Sequence, residues 1–216
     1  GLSAALLLLR NGLSVRIIEK LPQFHPGDRG AGIMVRCRTL ELYKVLGILP
    51  DILKQCTMPP DYISYRSSPD DGKPPRLSLL FEKMENTPAR PFHNPLFLGQ
   101  NIHERILREH IFADYGVQVE LGTELRSFEQ HADHVVAHVV KAADLKEEDI
   151  KVDWLIGADG ARSIVRKQLG LTFVGESPTE MEAILGDMHI VGDSIKGDSD
   201  EVRTTFFVAL HELILS

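Results

Sequence analysis

"GADGARSIVRKQLG", residues Gly157 to Gly170, follows the apolar stretch "VDWLI" and decides how the rest of the chain is read. The apolar run should end at Ala158 and Asp159-Gly160 should make a turn. Ser163 should then cap a helix carrying Ile164, Val165 and Leu169, with Gly170 just past its end. Strand, turn and helix in that order place the turn at the carboxyl end of a sheet strand, where open α/β sheets bind ligands. Gly160 permits close backbone approach, Asp159 can accept hydrogen bonds from ligand hydroxyls, and Arg162 and Arg166 can attract phosphates. An Asp-Gly turn followed by a helix with surface cations is the alternative for such a pair taken alone.

Upstream, "GLSAALLLLRNG" sets Leu2, Ala5, Leu6 and Leu9 on one helical face, with Gly12 where a C-terminal cap belongs. "LSVRIIE", residues 13 to 19, then alternates as a buried strand. A helix feeding a strand after a tight turn is the second half of a βαβ unit, so Gly1 would be the last glycine of a glycine-rich turn that follows a first strand. The opening on Gly1 and the strand-like ending "RTTFFVALHELILS" are therefore expected to be those of an internal segment of a longer chain. Glu19 stands 18 residues after Gly1, close to the roughly 20-residue offset at which an acid meets the ribose hydroxyls of a dinucleotide. A solvent-facing strand-end glutamate beside Lys20 reads equally well.

The bulk numbers narrow the classes. With 216 residues, 43% hydrophobic and 25% charged, the chain suits one large or two modest globular domains. A net charge of −7 argues against a nucleic-acid footprint, which needs a basic face. The apolar run "AALLLL" at residues 4 to 9 is far short of the about 20 residues that span a bilayer, so no membrane segment is expected. Cys37 and Cys56 form no spaced motif, which points to a reducing compartment and a cytoplasmic location.

"RTLELYKVLGI", residues 38 to 48, reads as a helix ended by Gly47. Eight of the twelve prolines fall between residues 59 and 95, around the strand candidates "YISYR" and "RLSLLF", and mark an excursion into a second layer or domain. "NIHERILREHIFADYG" restores a helical stripe of Ile102, Ile106, Leu107 and Ile111, closed by Gly116. "VQVEL", "ELRSFEQ" and "HVVAHVV" read as a three-stranded meander, "KAADLKEED" as a surface loop, and "VDWLIGA" as the strand entering the Asp-Gly turn. From about residue 173, "AILGDMHIVG" and "RTTFFVALHELIL" are strand-rich and return to the second domain. His131, His134 and His138 cluster without Cys or well-placed carboxylate partners, so no metal site is expected. No GxSxG, HExxH or CxxC motif supports hydrolase or thiol chemistry.

"IGADGARSIVRKQLG" resembles the DG motif of the single-component flavin-dependent aromatic hydroxylases, the family of para-hydroxybenzoate, phenol and salicylate hydroxylases. Three further stretches resemble that family in the expected order: "GLSAALLLLRNGLSVRIIEK" the tail of its GxGxxG unit, "RGAGIMVRCRTLELYKVLGI" its arginine-bearing second FAD segment, and "LGQNIHERILREHI" its glutamine-led helix. The resemblance covers residues 1 to about 175. It implies an α/β, Rossmann-like FAD-binding domain, incomplete in its first strand, over residues 1–58 and 99–172, with a partial β-rich substrate domain over 59–98 and 173–216. It implies that Gly1 belongs to the pyrophosphate turn, that Glu19 with Lys20 meets the adenosine ribose, and that Arg29 contacts FAD, with Arg38 as a further candidate. Gln100 would approach the flavin side, and Asp159 and Gly160, with Arg162 and Arg166, would serve FAD and the nicotinamide dinucleotide.

The implied activity is FAD-dependent monooxygenation of a small phenolic aromatic with NADPH or NADH and O2. A related FAD-dependent reductase or halogenase, or a non-catalytic segment, is the alternative, and the chain alone is expected to hold FAD weakly. Two departures stand out. The family's Gly-Asp-rich second fingerprint is absent, since "LGDMHIVGD" at residues 185 to 193 comes too early and in strand-like sequence, and the "RGAGIMV" region offers Gly30 and Gly32 where some members carry an acid.

Overall fold

The computed structural model describes residues 1–24, 32–58, 62–66, 76–79, 83–175, 182–189 and 203–210. In chain order its elements are α1 (Leu2–Arg10), β1 (Ile17–Ile18), β2 (Gly32–Val35), α2 (Cys37–Leu46), α3 (Leu49–Gln55), β3 (Tyr62–Arg66), β4 (Arg76–Leu79) and β5 (Leu96–Gly99). There follow α4 (Gln100–Tyr115), β6 (Val119–Glu120), β7 (Thr123–Gln130), β8 (Val135–Lys141), β9 (Lys146–Val152), α5 (Ile164–Gln168), β10 (Glu182–His189) and β11 (Arg203–Leu210). The chain divides into two compact units, residues 1–29 with 107–216 and residues 30–106, and the division falls inside α4.

In the first unit, α1 buries Ala5, Leu6 and Leu9, the face its leucine spacing predicts. It ends where Gly12 takes φ +79°, a left-handed geometry that glycine adopts without a Cβ penalty. Of "LSVRIIE" only β1 joins a ladder, pairing in parallel with β6 through Ile17↔Val119 and Ile18↔Glu120. Three expectations need correction here. "VQVEL" contributes β6 to β1 and is not part of the meander, which is instead β7-β8-β9. Its third strand comes from "KAADLKEED", expected as a loop: β9 opens at Lys146 and pairs along its length with β8. The expected strand "VDWLIGA" leaves the ladder at Val152, and residues 153–160 pair with no described strand.

The physical reasons differ. β9 is an edge strand, where charge on both faces is tolerated and discourages further pairing. Its charges are also met across the sheet: His138 Nδ1 hydrogen-bonds Asp149 Oδ1 at 2.7 Å, and Glu148 faces Arg16. The Arg16 guanidinium makes two forked pairs, with Glu120 at 2.6 and 2.8 Å and with Glu148 at 2.7 and 3.0 Å, and so clips β9 to β6. Apolar side chains, by contrast, do not make a strand of 154–158 without a partner backbone, and Trp154 is 86% exposed. β10 and β11 form an antiparallel pair in unbroken register from Glu182↔Leu210 to His189↔Arg203.

The second unit holds β2 antiparallel to β5 and β3 antiparallel to β4, the last two lying within the strand candidates "YISYR" and "RLSLLF". α2 ends at Gly47, φ +80°, and buries Leu40, Tyr43 and Leu46, while α3 buries Leu49 and Ile52. Along α4 the predicted stripe is buried at Ile106, Leu107 and Ile111, and Gly116 follows at φ +69°. Among the described residues no helix is long and apolar enough to cross a membrane.

Candidate functional site

Two helix starts in the first unit carry the candidate site. α1 has Gly1 at its N-cap, no side-chain cap and no acidic residue in its first turn. Its first intrahelical bond runs from Ala5 N to Gly1 O at 2.9 Å, so the N–H groups of Leu2, Ser3 and Ala4 have no acceptor within the helix. Such a terminus, with its partial positive charge, suits an anion. A Cβ added at Gly1 would stand 3.3 Å from Ala158 Cβ, so the start of α1 lies against the residue that precedes Asp159. Glycine allows that close approach.

The second start is the Asp-Gly turn itself. Gly160 has φ +76°, and a Cβ added there would meet nothing within 4 Å. Asp159 Oδ2 accepts from Ile164 N at 2.6 Å and Val165 N at 3.3 Å, and Ser163 Oγ accepts from Arg166 N at 2.9 Å, so α5 is capped twice. Burial pushes the Asp159 carboxyl up, but the Ser163 side chain and the main-chain N–H groups of Val165 and Ile164 outweigh it and hold the group below its ordinary value, as a carboxylate. Where Gly157 passes α5, an added Cβ would meet Val165 Cβ at 2.9 Å, so turn and helix are packed without slack.

The turn and the capped helix expected of this stretch are both present. Asp159 caps its own helix, yet both main-chain bonds fall on Oδ2. The Arg166 guanidinium donates to Ala161 O at 2.9 Å and lies 4.8 Å from the centroid of the Phe173 ring, so it is engaged within the turn. Arg162 and Lys167 are exposed, with no ion pair among the described residues.

Glu19 directly follows β1. Its N–H donates to Glu120 O at 2.9 Å, its carbonyl accepts from Thr123 N at 2.9 Å, and its Oε1 accepts from Leu21 N at 2.9 Å. The carboxylate is thus folded onto its own loop with one oxygen committed; Lys20 is exposed. Phe24, further along the loop, has the Arg108 guanidinium 3.7 Å over its ring.

In the second unit, Arg38 is 92% exposed and paired with Glu41 across one helical turn at 2.8 Å. Gln100 starts α4 and donates from Nε2 to Glu104 Oε1 at 2.9 Å. Arg29 lies outside the described residues. Sequence reasoning missed the hydrogen bond between Tyr43 Oη and His103 Nε2, which join α2 to α4. Burial pushes His103 down and Tyr43 up, so both are neutral. The signal was faint, a tyrosine on an apolar helix face. Sequence reasoning also missed Gln168, whose Oε1 accepts from Phe128 N at 3.1 Å.

The histidine cluster does have carboxylates beside it, contrary to expectation. Glu129 faces both His131 at 3.3 Å and His138 at 3.6 Å, Asp133 pairs with His134, and the β8-β9 register sets Asp149 opposite His138. Among the described residues no group of three or more His, Cys, Asp or Glu side chains is arranged to hold a metal ion.

Comparison with known proteins adds the following. Residues 1–205 match the FAD binding domain family. The chain is 30% identical over 204 residues to a flavin-dependent monooxygenase of Mycobacteroides abscessus, covering 94% of this chain and 42% of that protein. It is 32% identical over 181 residues to pentachlorophenol 4-monooxygenase of Sphingobium chlorophenolicum, covering 83% of this chain and 31% of the relative. Among solved structures, the flavin-dependent monooxygenase PieE in complex with FAD and substrate superposes with a TM-score of 0.66 at 25% identity, over 88% of this chain and 31% of that one.

Proposed function

The chain belongs to the FAD binding domain family of the flavin-dependent aromatic hydroxylases, and from that premise we propose that it is the cofactor-binding part of an FAD-dependent monooxygenase that hydroxylates a small phenolic aromatic. The observation that carries the reading is the approach of Gly1 to Ala158, which sets the open N-terminus of α1 against the Asp-Gly turn. A dinucleotide presents the matching chemistry, an anionic pyrophosphate flanked by hydroxyl-bearing groups on either side.

In this reading the N–H groups of Leu2, Ser3 and Ala4 receive the pyrophosphate, and Glu19, with Lys20 beside it, takes the adenosine ribose hydroxyls. Asp159 offers Oδ1, which carries neither main-chain helix bond, to a hydroxyl nearer the flavin, and Gly160 leaves the backbone open to approach. Arg162 supplies positive charge that no ion pair engages among the described residues, and Arg166 holds Ala161 and so the shape of the turn. Arg29, Arg38 and Gln100 complete the proposed cofactor contacts. When bound, FAD would supply the redox chemistry, by which two electrons from NADPH or NADH let one oxygen atom of O2 enter the ring while the other leaves as water. The protein binds, orients and shields that chemistry from water. Residues 1–58 and 99–172 serve the cofactor in this proposal, and 59–98 and 173–216 contribute to the substrate side.

A phenol is favoured because the relative named for pentachlorophenol is similar over most of this chain. The test is NADPH or NADH oxidation by the FAD-loaded full-length protein across a panel of phenols, with isotope-labelled O2. Stimulated oxidation with one labelled oxygen in the ring is expected. Oxidation with no labelled product from any phenol would move the protein to the related reductases or halogenases.

A further inference from the structure

We infer that Gln168 is a positioning residue for Asp159, and that β7 is the rail on which both proposed cofactor carboxylates are mounted. The inference rests on reading Asp159 and Glu19 as cofactor contacts. α5 has only the five residues Ile164–Gln168, too few to persist as a helix on its own. Its first turn is held by Ser163 and Asp159; its last turn is held to the sheet by the bond from Phe128 N to Gln168 Oε1 at 3.1 Å. That is the one side-chain hydrogen bond between α5 and β7 among the described residues.

The backbone of β7 is shaped to make this bond. Thr123 N points away from β8 and donates to Glu19 O at 2.9 Å. In a regular strand successive N–H groups alternate sides, so Phe128, an odd number of residues later, would face β8. The register shifts by one between them: Leu125 pairs with Val139 but Ser127 pairs with His138, leaving Arg126 as an extra residue. This bulge reverses the alternation and brings Phe128 N–H to the same edge as Thr123 N–H. One edge of one strand therefore anchors the Glu19 turn at one end and α5 at the other, with attachment points about 16 Å apart at the usual rise per residue. Because the N–H groups at the start of α5 bond Asp159 Oδ2, the carboxylate moves with the helix.

Two variants separate an acceptor at this place from mere bulk: Gln168→Leu removes the acceptor at similar size, and Gln168→Glu keeps it. In the full-length protein, amide hydrogen exchange is read at Phe128, Ile164 and Val165, and the FAD dissociation constant by flavin fluorescence titration. Gln168→Leu should speed exchange at all three amides and weaken FAD by about three- to tenfold, the worth of one net hydrogen bond. Gln168→Glu should stay within about twofold of the parent. Faster exchange at Phe128 with Ile164 and Val165 unchanged would overturn the inference, whatever FAD does, and so would a glutamate variant as impaired as the leucine variant. If the parent takes up no FAD while Gln168→Leu still exposes Ile164 and Val165, the positioning role stands and the cofactor reading is the one that falls.

Discussion

Replacing Gly157 with alanine would put a methyl group 2.9, 3.0 and 3.2 Å from Val165 Cβ, Cγ1 and Cγ2, well inside the 3.5–4.0 Å at which carbon atoms rest. Val165 is β-branched and helical, so it has essentially one side-chain rotamer and cannot swing clear. Relief has to come from α5 moving off the turn. Overpacking of this kind costs about 1–3 kcal/mol, and at about 2–4 °C per kcal/mol for a chain of this size Tm should fall by about 2–12 °C. The same motion stretches the bond from Val165 N to Asp159 Oδ2, already 3.3 Å, so FAD affinity should fall with stability. Gly160→Ala is the control: its Cβ meets nothing within 4 Å, and only the strain of φ +76°, about 1–2 kcal/mol, is felt. In a Val165→Ala background two of the three short contacts vanish, and the cost of Gly157→Ala should shrink accordingly. Differential scanning calorimetry on the four-member cycle decides the matter. A Gly157→Ala protein that melts with the parent, or loses as much in both backgrounds, refutes the packing argument.

Asp159→Asn keeps an acceptor for the N–H groups of α5, since asparagine caps helices about as well as aspartate. It should leave Tm nearly unchanged while weakening FAD about tenfold through loss of charge-assisted hydrogen bonds; an unchanged flavin titration would count against Asp159 as a ligand. His138 is raised by its hydrogen bond to Asp149, against some desolvation, with Glu129 adding to the effect. Its contribution is fully present below the ordinary histidine value and is lost as pH rises through the folded value. The Tm gap between parent and His138→Gln should therefore narrow between about pH 6 and pH 8. Glu148 is lowered from 4.5 to about 2, chiefly by its hydrogen bond with Arg16. The stability it lends is present above 4.5 and lost as pH falls toward 2, so Arg16→Met should flatten the acid limb of a circular dichroism titration, and an unaltered limb would place the acid sensitivity elsewhere.

The elements that could be read from the sequence are those whose signal is local. The face of α1, the glycines that end α1, α2 and α4, and the Ser163 cap of α5 each follow from side chains within one or two turns. Errors came where a strand's partner is distant. β6 looks like the first strand of a meander until Ile17 and Ile18 are seen beside it, and β9 looks like a solvated loop until Arg16 and His138 meet its acids. The site followed the same rule. Asp159 and Gly160 were visible as a turn, whereas Gln168 was not, because its partner Phe128 lies 40 residues away and faces it only by virtue of the bulge at Arg126.

Trp154 is the chain's single tryptophan, and its 86% exposure lies on the extended segment five residues before Asp159. All of the indole emission of these 216 residues therefore originates five residues from the Asp-Gly turn. In the bare chain it should be long-wavelength, as for a water-exposed ring, and quenchable by iodide. Flavin absorbs in the range where indole emits, so uptake of the cofactor should extinguish much of that light by energy transfer, and a polypeptide laid along residues 154–158 should shift it to shorter wavelength. The two events carry different optical signatures, and native fluorescence can follow each without a label.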